Sequence, residues 1–297
     1  MRNDSGKKIV CIFIGNRLAV LQEIMRMERL ELAHVFILKN SFLYKKRRAI
    51  HCPYTIFDNK DEEKIISRIS SLDFDILISN GCPFVLPVSN MSRQGEIFLN
   101  IHPSYLPYFR GINPVNGILL KNFTFAGATM HFMDDDIDTG NIIFRQKFRV
   151  TADIDAGLLY RLVFDLEGIV FAEGMRKLIR SGFLYKGIKQ KRLKGCYYTR
   201  SLSDMRLNLG SMRSAEILSK VRAFGVTGQG VSCRVNSINF KIFEAEAIHN
   251  KYVIMKFSLA RAGEILLEYD GKVLLKTMDG IIKIKLFSRN GLRGARG

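Results

Sequence analysis

The first 180 residues alternate between short apolar runs and segments in which apolar residues have helical spacing. Residues 8–15 read KIVCIFIG, a continuous apolar run ending in glycine, which is typical of a buried parallel strand. A helical pattern follows over residues 19–30, and further strand patterns occupy residues 32–38, 75–79 and 97–101. Strands that alternate with helices predict an α/β fold with a doubly wound, mostly parallel sheet. Such a sheet binds ligands at the carboxyl ends of its strands, so a site is expected there.

The pattern changes after residue 185, where a basic segment with little periodicity predicts a linker. Short strand patterns follow at 231–235, 238–242, 253–257, 265–268, 272–277 and 281–286. Runs of this length separated by turn residues predict a small antiparallel, β-barrel-like domain. We therefore expect an α/β domain at 1–185, a basic linker at 186–213 and a small C-terminal β-rich domain at 214–297.

Positive charge is concentrated in the C-terminal part of the chain. Residues 1–180 carry 24 Lys and Arg against 20 Asp and Glu, whereas residues 181–297 carry 22 against 8, so +14 of the net charge of +18 lies there. A basic region of this kind favours an anionic partner, such as nucleic acid, a nucleotide-linked substrate or an anionic membrane surface. A solvated basic surface that aids solubility fits the same charge distribution.

Several classes of protein are disfavoured by missing motifs. The five cysteines form no CxxC pair, so neither a disulfide framework nor a zinc site is expected, and a reducing, cytoplasmic setting fits. No stretch of about 18 apolar residues occurs, so no membrane insertion is expected. The chain has neither GxGxxG nor GxxxxGK[ST], which leaves dinucleotide and ATP sites of those kinds unsupported.

One polar constellation follows a predicted strand. Asn100 and His102 lie two positions apart at the end of the strand pattern, so their side chains should point to the same side of the sheet. Pro103 then turns the chain out of the sheet. Asp138 lies further on, near the end of the acidic loop 134–140, DDDIDTG. Polar groups held at a strand end are where doubly wound folds place their reactive residues.

These residues resemble the N10-formyltetrahydrofolate-dependent formyltransferase family, which includes sugar N-formyltransferases and methionyl-tRNA formyltransferases. The matching motifs are Asn100-Ile101-His102, Ser104-Tyr105-Leu106-Pro107, Gly111 and Ile137-Asp138-Thr139-Gly140. The separation of 36 positions between His102 and Asp138 is the one expected for the family. The resemblance covers residues 8–179 well and the C-terminal part more loosely. It implies a folate-dependent formyltransferase with a Rossmann-like catalytic domain.

The resemblance also implies roles for the three polar residues. An amine attacks the formyl carbon and negative charge develops on the formyl oxygen, to which the Asn100 amide can donate a hydrogen bond. His102 can donate as well or carry the proton, because its ordinary pKa of about 6.5 suits proton transfer near neutral pH. Asp138 can orient His102 and help take up the amine proton. No metal is required by this chemistry.

A folate pocket is implied between residues 79–87 and the acidic loop, with N10-formyltetrahydrofolate as formyl donor. Backbone groups expected to hold the pterin belong to Leu86, Asp134, Asp136 and Ile137. Ser104 and Gly111 are expected to shape the loop beneath the formyl group. The Leu86 side chain equally fits core packing, Asp134 fits a solvated loop, and His131 is expected to be structural.

The amine acceptor is less firmly indicated. Family members formylate a purine-pathway ribonucleotide, the methionine of initiator tRNA, or an amino sugar that is usually nucleotide-linked; the purine enzymes generally lack a second domain. The basic C-terminal part favours tRNA. Gly15-Asn16-Arg17 replaces the Gly-Thr-Pro turn usual in tRNA-type members, and residues 102–108 and 196–200 look more like the sugar enzymes. We therefore expect an amino-sugar acceptor, with methionyl-tRNA as the alternative and a non-catalytic RNA- or folate-binding protein as a third hypothesis.

Four residues are expected on the acceptor side under the sugar hypothesis: Arg17, Tyr105, Tyr108 and Arg110. A tyrosine ring could stack on a sugar or base, and an arginine could grip a pyrophosphate. Packing of the loop after Pro103 is an equal alternative for the tyrosines. Because sugar-modifying members are often dimers, the resemblance also suggests a homodimer.

Overall fold

The fold is described by a computed structural model, which covers residues 7–93, 95–191, 197–235 and 238–289. The chain divides into two compact units. The first lies within Met1–Pro114, Phe125–Arg149 and Arg161–Tyr198, and the second within Val115–Thr124, Val150–Tyr160 and Thr199–Gly297.

The division differs from the expected linker at 186–213. Ile188 and Ile142 exchange two backbone hydrogen bonds of 2.8 Å each, from N–H to carbonyl in both directions. This pairing joins the segment after residue 185 to the first unit, which extends to Tyr198. Backbone pairing of an irregular segment leaves no periodic pattern in the sequence, which is why the segment was predicted to be a linker.

The first unit is built on seven strands: β1 (Ile9–Gly15), β2 (Leu30–Leu38), β3 (Tyr54–Phe57), β4 (Ile76–Asn80), β5 (Ile97–His102), β6 (Phe125–Phe132) and β7 (Ile142–Arg149). They form one sheet in the order β3-β2-β1-β4-β5-β6-β7. The first five strands pair in parallel, and β6 and β7 are antiparallel to their neighbours. The predicted α/β fold with a mostly parallel, doubly wound sheet is confirmed.

Helices follow the strands as the alternating pattern predicts. They are α1 (Leu18–Arg26), α2 (Phe42–Lys46) with a 3-10 turn at Arg47–Ala49, α3 (Glu62–Ser70), α4 (Val88–Met91), α5 (Pro114–Leu120) and α6 (Ala156–Arg180). The first turn of α3 contains Glu62 and Glu63, whose charges are favourable at a helix N-terminus. The predicted helix at 19–30 is shorter in the structure, because β2 already begins at Leu30.

The core of the first unit lies on both faces of the sheet. Cys11 and Phe13 of β1 pack in one apolar cluster with α1 and α6, while Ile12 and Ile14 pack in a second cluster with α3. Because successive side chains of a strand point to opposite faces, a central strand must be apolar at every position. The continuous apolar run at the start of the sequence therefore becomes the middle of the sheet.

Besides most of α5 and the first residues of α6, the second unit contains α7 (Ser214–Phe224), β8 (Val231–Val235), β9 (Ile238–Ala247), α8 (Lys251–Lys256), β10 (Ile265–Tyr269), β11 (Lys272–Lys276) and β12 (Ile281–Arg289). The strands form an antiparallel sheet in the order β10-β11-β12-β9-β8. Helix α7 packs against β9. This confirms a small antiparallel β-rich unit at the C-terminal end.

One predicted strand in this unit was wrong. Residues 253–257 were expected to be a strand, but the structure places them largely in α8. The side chain of Asn250 accepts a hydrogen bond of 3.1 Å from the backbone N–H of Val253 and caps the helix. A five-residue apolar run is too short for its periodicity to separate helix from strand.

Candidate active site

Strand β5 ends at the two polar residues that the sequence analysis singled out. Asn100 and His102 lie two positions apart at the carboxyl end of β5, and the adjacent parallel strand β4 ends at Asn80. The Asn80 side chain donates a hydrogen bond of 2.8 Å to the carbonyl of Ile101, between the two. A side-chain hydrogen bond from β4 therefore fixes the end of β5, in addition to the backbone pairing of the two strands.

Asp138 lies at the centre of the site. Its Oδ1 accepts a hydrogen bond of 3.1 Å from Asn100 Nδ2, and its Oδ2 accepts one of 2.9 Å from the backbone N–H of Gly111. His102 Nδ1 lies 3.4 Å from Oδ2, and His131 Nε2 lies 3.6 Å from Oδ1. The structure thus brings the three residues predicted to be catalytic into one cluster, although 36 positions separate His102 from Asp138.

The cluster is largely buried, and the charges in it depend on burial and on the contacts between its members. Burial alone would raise the pKa of Asp138, but contacts that include His102 and the Gly111 N–H outweigh it and hold that pKa well below its ordinary value of 3.8. Burial lowers the pKa of His102 below its ordinary value of 6.5, against the opposing effect of Asp138. Near neutral pH, a carboxylate therefore faces a neutral imidazole.

Both ring nitrogens of His102 face an acceptor. Nε2 lies 2.9 Å from the carbonyl oxygen of Phe109, and Nδ1 lies 3.4 Å from the Asp138 carboxylate. A neutral imidazole has one N–H and can donate to only one of them, whereas an imidazolium would donate to both. The ring is therefore placed to take up a proton during a reaction and to be stabilised while it carries that proton.

His131, which was expected from the sequence to be structural, lies within the site. It lies on β6 directly opposite Asn100 in the antiparallel register. Its Nδ1 is 2.7 Å from the carbonyl of Phe132 and so carries the N–H, which leaves Nε2 to accept from Asn100 Nδ2 at 3.1 Å. His131 thereby orients the Asn100 amide. Spacing along the chain does not reveal cross-strand neighbours, so no sequence signal marked it as part of the site.

Gln190 holds the loop that carries Asp138 in place through hydrogen bonds. Gln190 Nε2 donates to the carbonyls of Asp138 and Gly140 at 3.0 Å and 2.7 Å, and Gln190 Oε1 accepts from Arg110 Nη2 at 2.8 Å. Asp138 itself has a left-handed backbone, with φ of 56°. A Cβ at Gly140 would lie 1.8 Å from the carbonyl oxygen of Phe132, so this position requires glycine. Gln190 was not predicted, because it lies in the segment expected to be a linker.

Ser104 and Gly111 belong to the framework of the loop that follows β5. Ser104 is fully buried; its hydroxyl donates to the carbonyl of Tyr108 at 2.6 Å, and its carbonyl accepts from the Thr129 hydroxyl at 2.7 Å. Gly111 has φ of 103°, which favours glycine, and its N–H binds Asp138. Both positions suit the predicted role of shaping the loop, and their contact with a formyl group stays a prediction.

The four residues predicted on the acceptor side occupy different environments. Tyr105 and Tyr108 are half-buried and meet the ring of Phe125 edge-on, with centroids 5.7 Å and 5.6 Å apart. Arg110 is 4% exposed, and its guanidinium donates a hydrogen bond to Gln190, the residue that holds the Asp138 loop. Arg17 precedes α1, and its side chain is 21% exposed. Their contacts with an acceptor stay predictions.

The two segments expected to flank the folate are adjacent. The backbone N–H of Ser89 at the start of α4 donates to Asp135 of the acidic loop at 2.9 Å. The Leu86 side chain is 1% exposed and packs in the core, so only its backbone is a candidate for pterin contact. The exposed candidates on the acidic loop are Asp134, Asp136 and Ile137.

Two further features concern metal ligands and membrane spans in the part of the chain that the structure describes. There, no three or more His, Cys, Asp or Glu side chains are grouped so that they could hold a metal ion. Within the same residues, no helix combines the length and the apolar character needed to cross a bilayer. Four cysteines are free, and Cys196 lies outside the described residues.

Solved structures with this fold include two that bind folate compounds. An N-formyltransferase from Helicobacter canadensis, in complex with folinic acid and dTDP-3-aminofucose, matches with a TM-score of 0.67 and 21% identity over 94% of this chain and 99% of that one. HypX from Aquifex aeolicus, in complex with tetrahydrofolic acid, matches with a TM-score of 0.65 and 18% identity over 94% of this chain and 44% of that longer one. At these identities the matches establish the fold alone.

Sequence comparison assigns the family. A methionyl-tRNA formyltransferase from Clostridium tetani is 25% identical over 78% of this chain and 71% of its own length, and one from Syntrophomonas wolfei is 25% identical over 61% and 57%. The sequence model of the Formyl transferase family matches residues 27–175, and that of the Formyl transferase C-terminal domain matches residues 201–293. The first match covers half of the chain and contains all three residues of the polar cluster, and so the chain belongs to the formyl transferase family.

Proposed function

We propose that the protein transfers a formyl group from N10-formyltetrahydrofolate to the amine of a nucleotide-linked amino sugar. The observation that carries this proposal is the buried cluster in which Asp138 contacts Asn100 and His102. It combines an amide donor, a neutral imidazole and a carboxylate, which are the groups needed to move an acyl group onto an amine.

The fit of the donor is supported by the surface beside the cluster. The folate would supply the formyl group as an amide on N10, next to a flat pterin ring. Val85 and Ile137, which are 45% and 46% exposed, offer apolar side chains on the two adjacent segments expected to hold that ring. The Helicobacter canadensis enzyme, which has the same fold, is known in complex with folinic acid.

The roles of the three side chains follow from their contacts. Both N–H groups of the Asn100 amide are used, on Asp138 and on His131, so donation to a formyl oxygen requires exchange of one of these bonds. His102 takes the proton lost by the attacking amine and shares it with Asp138, whose carboxylate stabilises the imidazolium. The proton can then pass to the leaving N10 nitrogen.

The sugar acceptor is favoured by the motif differences at residues 15–17 and by the Helicobacter canadensis complex, which contains dTDP-3-aminofucose. Methionyl-tRNA is the alternative, supported by the Clostridium tetani relative and by the second unit. That unit has a cleft of about 650 Å³ lined by Arg200, Arg206, Arg234 and Lys241 among others, with no Asp or Glu among the described lining residues. Such a surface suits phosphate contacts.

The third hypothesis, a non-catalytic RNA- or folate-binding protein, is disfavoured by the same cluster. Burying a carboxylate among two histidines and an asparagine is costly for a fold that has no use for their chemistry. The cytoplasmic location and the homodimer expected from the sequence stay predictions.

The test is a transfer assay with N10-formyltetrahydrofolate, run in parallel on charged initiator tRNA and on nucleotide-linked 3-amino and 4-amino sugars. Turnover of a sugar and not of tRNA would support the proposal, and turnover of tRNA alone would replace the acceptor with methionyl-tRNA. His102→Ala should abolish turnover, whereas the matched variant of the exposed His51, His51→Ala, should retain it. Full activity of His102→Ala would contradict the mechanism.

A further inference from the structure

Helix α6 carries a buried carboxylate for which the mechanism above has no use. The Glu167 side chain is fully buried, and its Oε1 accepts a hydrogen bond of 3.0 Å from Asn80 Nδ2. Its Oε2 lies 3.3 Å from Arg17 Nε. A charged group this deep in a protein requires compensation, and here it comes from one cation and one amide.

Two glycines allow Glu167, Arg17 and Asn80 to come together at the ends of β1 and β4. A Cβ at Gly15 would lie 2.0 Å from the Asn80 carbonyl oxygen, and a Cβ at Gly81 would lie 2.3 Å from the Asn16 side chain. The backbone N–H of Asn16 donates to the Asn80 carbonyl at 3.1 Å. The turn that precedes α1 is therefore held tightly against the end of β4, with Arg17 directly after it.

Asn80 connects the Glu167–Arg17 pair to the active site. The same Asn80 Nδ2 that donates to Glu167 also donates to the carbonyl of Ile101, between Asn100 and His102. Glu167 thus orients the amide that holds the end of β5. The Asn80 side chain therefore connects Glu167 to Ile101, which is adjacent in sequence to both Asn100 and His102.

Glu167 also constrains Arg17 on the other side. The guanidinium of Arg17 lies 3.6 Å above the ring of Phe164, also on α6, and donates to the side chain of Asn16. Arg17 is close enough to His102 to contribute to the lowering of the pKa of that histidine. With a fifth of its side chain exposed, Arg17 is held in one orientation beside the reaction site.

The cluster is not optimised for stability. Asn80 Oδ1 is buried and has no hydrogen-bond partner among the described residues, and Arg17 Nε and Glu167 Oε2, although 3.3 Å apart, form no well-aligned hydrogen bond. Buried polar atoms left in this state destabilise a fold, and an apolar group of similar shape at position 167 would avoid the cost. Retention of the charge therefore points to a role in function.

We propose that Glu167 is a positioning residue for formyl transfer, which orients Arg17 toward the acceptor and, through Asn80, fixes the strand end that carries Asn100 and His102. The proposal rests on the proposed function of the site. The contact of Glu167 with Arg17 serves acceptor binding, and its contact with Asn80 serves the placement of the catalytic pair.

The charge of Glu167 supports this assignment. Burial raises the pKa of Glu167 to about 7, although Arg17 and Asn80 both lower it. The charged group that faces Glu167 is Arg17, from the turn after β1. Its other neighbour, Asn80 on β4, does not titrate. His102 on β5 is close enough to Arg17 for the charge of Arg17 to lower its pKa. The ion pair with Arg17 is therefore complete above about pH 7 and is lost as Glu167 takes up a proton below it.

The test compares three variants in steady-state kinetics with a saturating formyl donor. Glu167→Gln keeps an acceptor for Asn80 but removes the charge, so the acceptor KM should rise about tenfold with kcat changed less than threefold. Glu167→Leu removes both contacts and should also lower kcat. Glu173→Gln, on the exposed face of the same helix, is the matched control and should match the wild type.

Two further readouts separate positioning from a structural effect. The wild-type acceptor KM should rise as the pH falls through about 7 relative to that of Glu167→Gln, whose side chain does not titrate. In a background of Arg17→Ala, the effect of Glu167→Gln on KM should vanish, because the two residues act as a unit. Additive effects, or an unchanged KM in Glu167→Gln, would overturn the proposal while wild-type turnover upheld the proposed function. A wild type inactive on every acceptor would overturn both.

Discussion

The carboxylate of Asp138 collects groups from three separate parts of the chain: Asn100 and His102 on β5, Gly111 in the following loop and His131 on β6. Burial disfavours the ionised form of any carboxylate, and it does so for Asp138 and Glu167 alike. At Asp138, contacts that include His102 and the Gly111 N–H outweigh burial, so its pKa falls, whereas at Glu167 the contacts with Arg17 and Asn80 do not outweigh burial, so its pKa rises. The surroundings of each side chain, rather than its depth, decide its charge near neutral pH.

Replacing Asp138 by asparagine tests its role directly. Asp138→Asn keeps the size of the side chain but removes the charge that stabilises a protonated His102, so kcat should fall by about 10²- to 10⁴-fold, the range for general acid–base groups. Glu63→Gln, an exposed carboxylate on α3, is the control and should leave kcat unchanged. A kcat of Asp138→Asn within threefold of the wild type would contradict the mechanism.

The lowered pKa of His102 predicts a pH dependence of stability. Below pH 6.5 the unfolded chain protonates this histidine while the folded chain keeps it neutral, so the contribution of His102 is fully present above 6.5 and is lost as the pH falls toward the folded pKa. The free energy of unfolding, measured by urea denaturation at several pH values, should fall more on acidification in the wild type than in His102→Asn. Parallel curves for the two proteins between about pH 5 and pH 7 would show that the pKa is not lowered.

At the scale of elements, the site is made where a parallel and an antiparallel neighbour meet the same strand. Strand β4 runs parallel to β5 and brings Asn80 to its carboxyl end, while β6 runs antiparallel and brings His131 opposite Asn100. The loop from β6 to β7 then returns Asp138 to this edge. The segment after α6 completes the arrangement, because Gln190 holds the carbonyls of Asp138 and Gly140.

Removing the Gln190 side chain should loosen that loop. Gln190→Ala leaves two loop carbonyls and Arg110 without this partner, so we expect about 1–3 kcal/mol of destabilisation and a kcat lowered by roughly tenfold as Asp138 moves. Thermal unfolding and the transfer assay measure the two effects. Gln146→Ala, an exposed glutamine on β7, is the control, and an active-site effect equal to this control would contradict the role of Gln190.

At the scale of the whole molecule, charge is distributed unevenly along the chain. Residues 181–297 carry +14 of the net +18, and the cleft of the second unit collects four of these cations. A cleft with this charge would attract any phosphate-bearing ligand. Its contribution to turnover depends on the acceptor, which makes it a means of separating the two acceptor hypotheses.

A triple variant Arg206→Ala, Arg234→Ala, Lys241→Ala tests the cleft. With a nucleotide-linked sugar bound at the first unit, we expect turnover within about twofold of the wild type. With methionyl-tRNA as acceptor, lost phosphate contacts should raise KM by tenfold or more and reduce its dependence on salt. A triple variant at the exposed Lys60, Lys64 and Arg68, in and just before α3, is the control of equal charge. A large loss of sugar turnover would contradict the preferred acceptor.

Much of the fold could be predicted because its elements have strong local signals. The run at β1 is apolar at every position and became the buried centre of the sheet, and the helical spacing that follows it became α1. The failures have local reasons as well. Residues 253–257 form α8 because a single asparagine caps a short apolar run, and Ile188 joins the sheet edge through backbone atoms that carry no sequence pattern.

The amino-acid sequence by itself determined the α/β architecture, the strand end at Asn100 and His102, and the loop that carries Asp138, since each depends on periodicity or on motif spacing within a short segment. Only the tertiary structure decided which distant residues support them. His131 enters through strand pairing, Gln190 through the return of the chain after α6, and Glu167 through the packing of α6 on β1 and β4. The physical reason is that contacts between segments far apart in sequence exist only once the sheet has assembled, and so does the burial that, together with these contacts, shifts the pKa values of Asp138, His102 and Glu167.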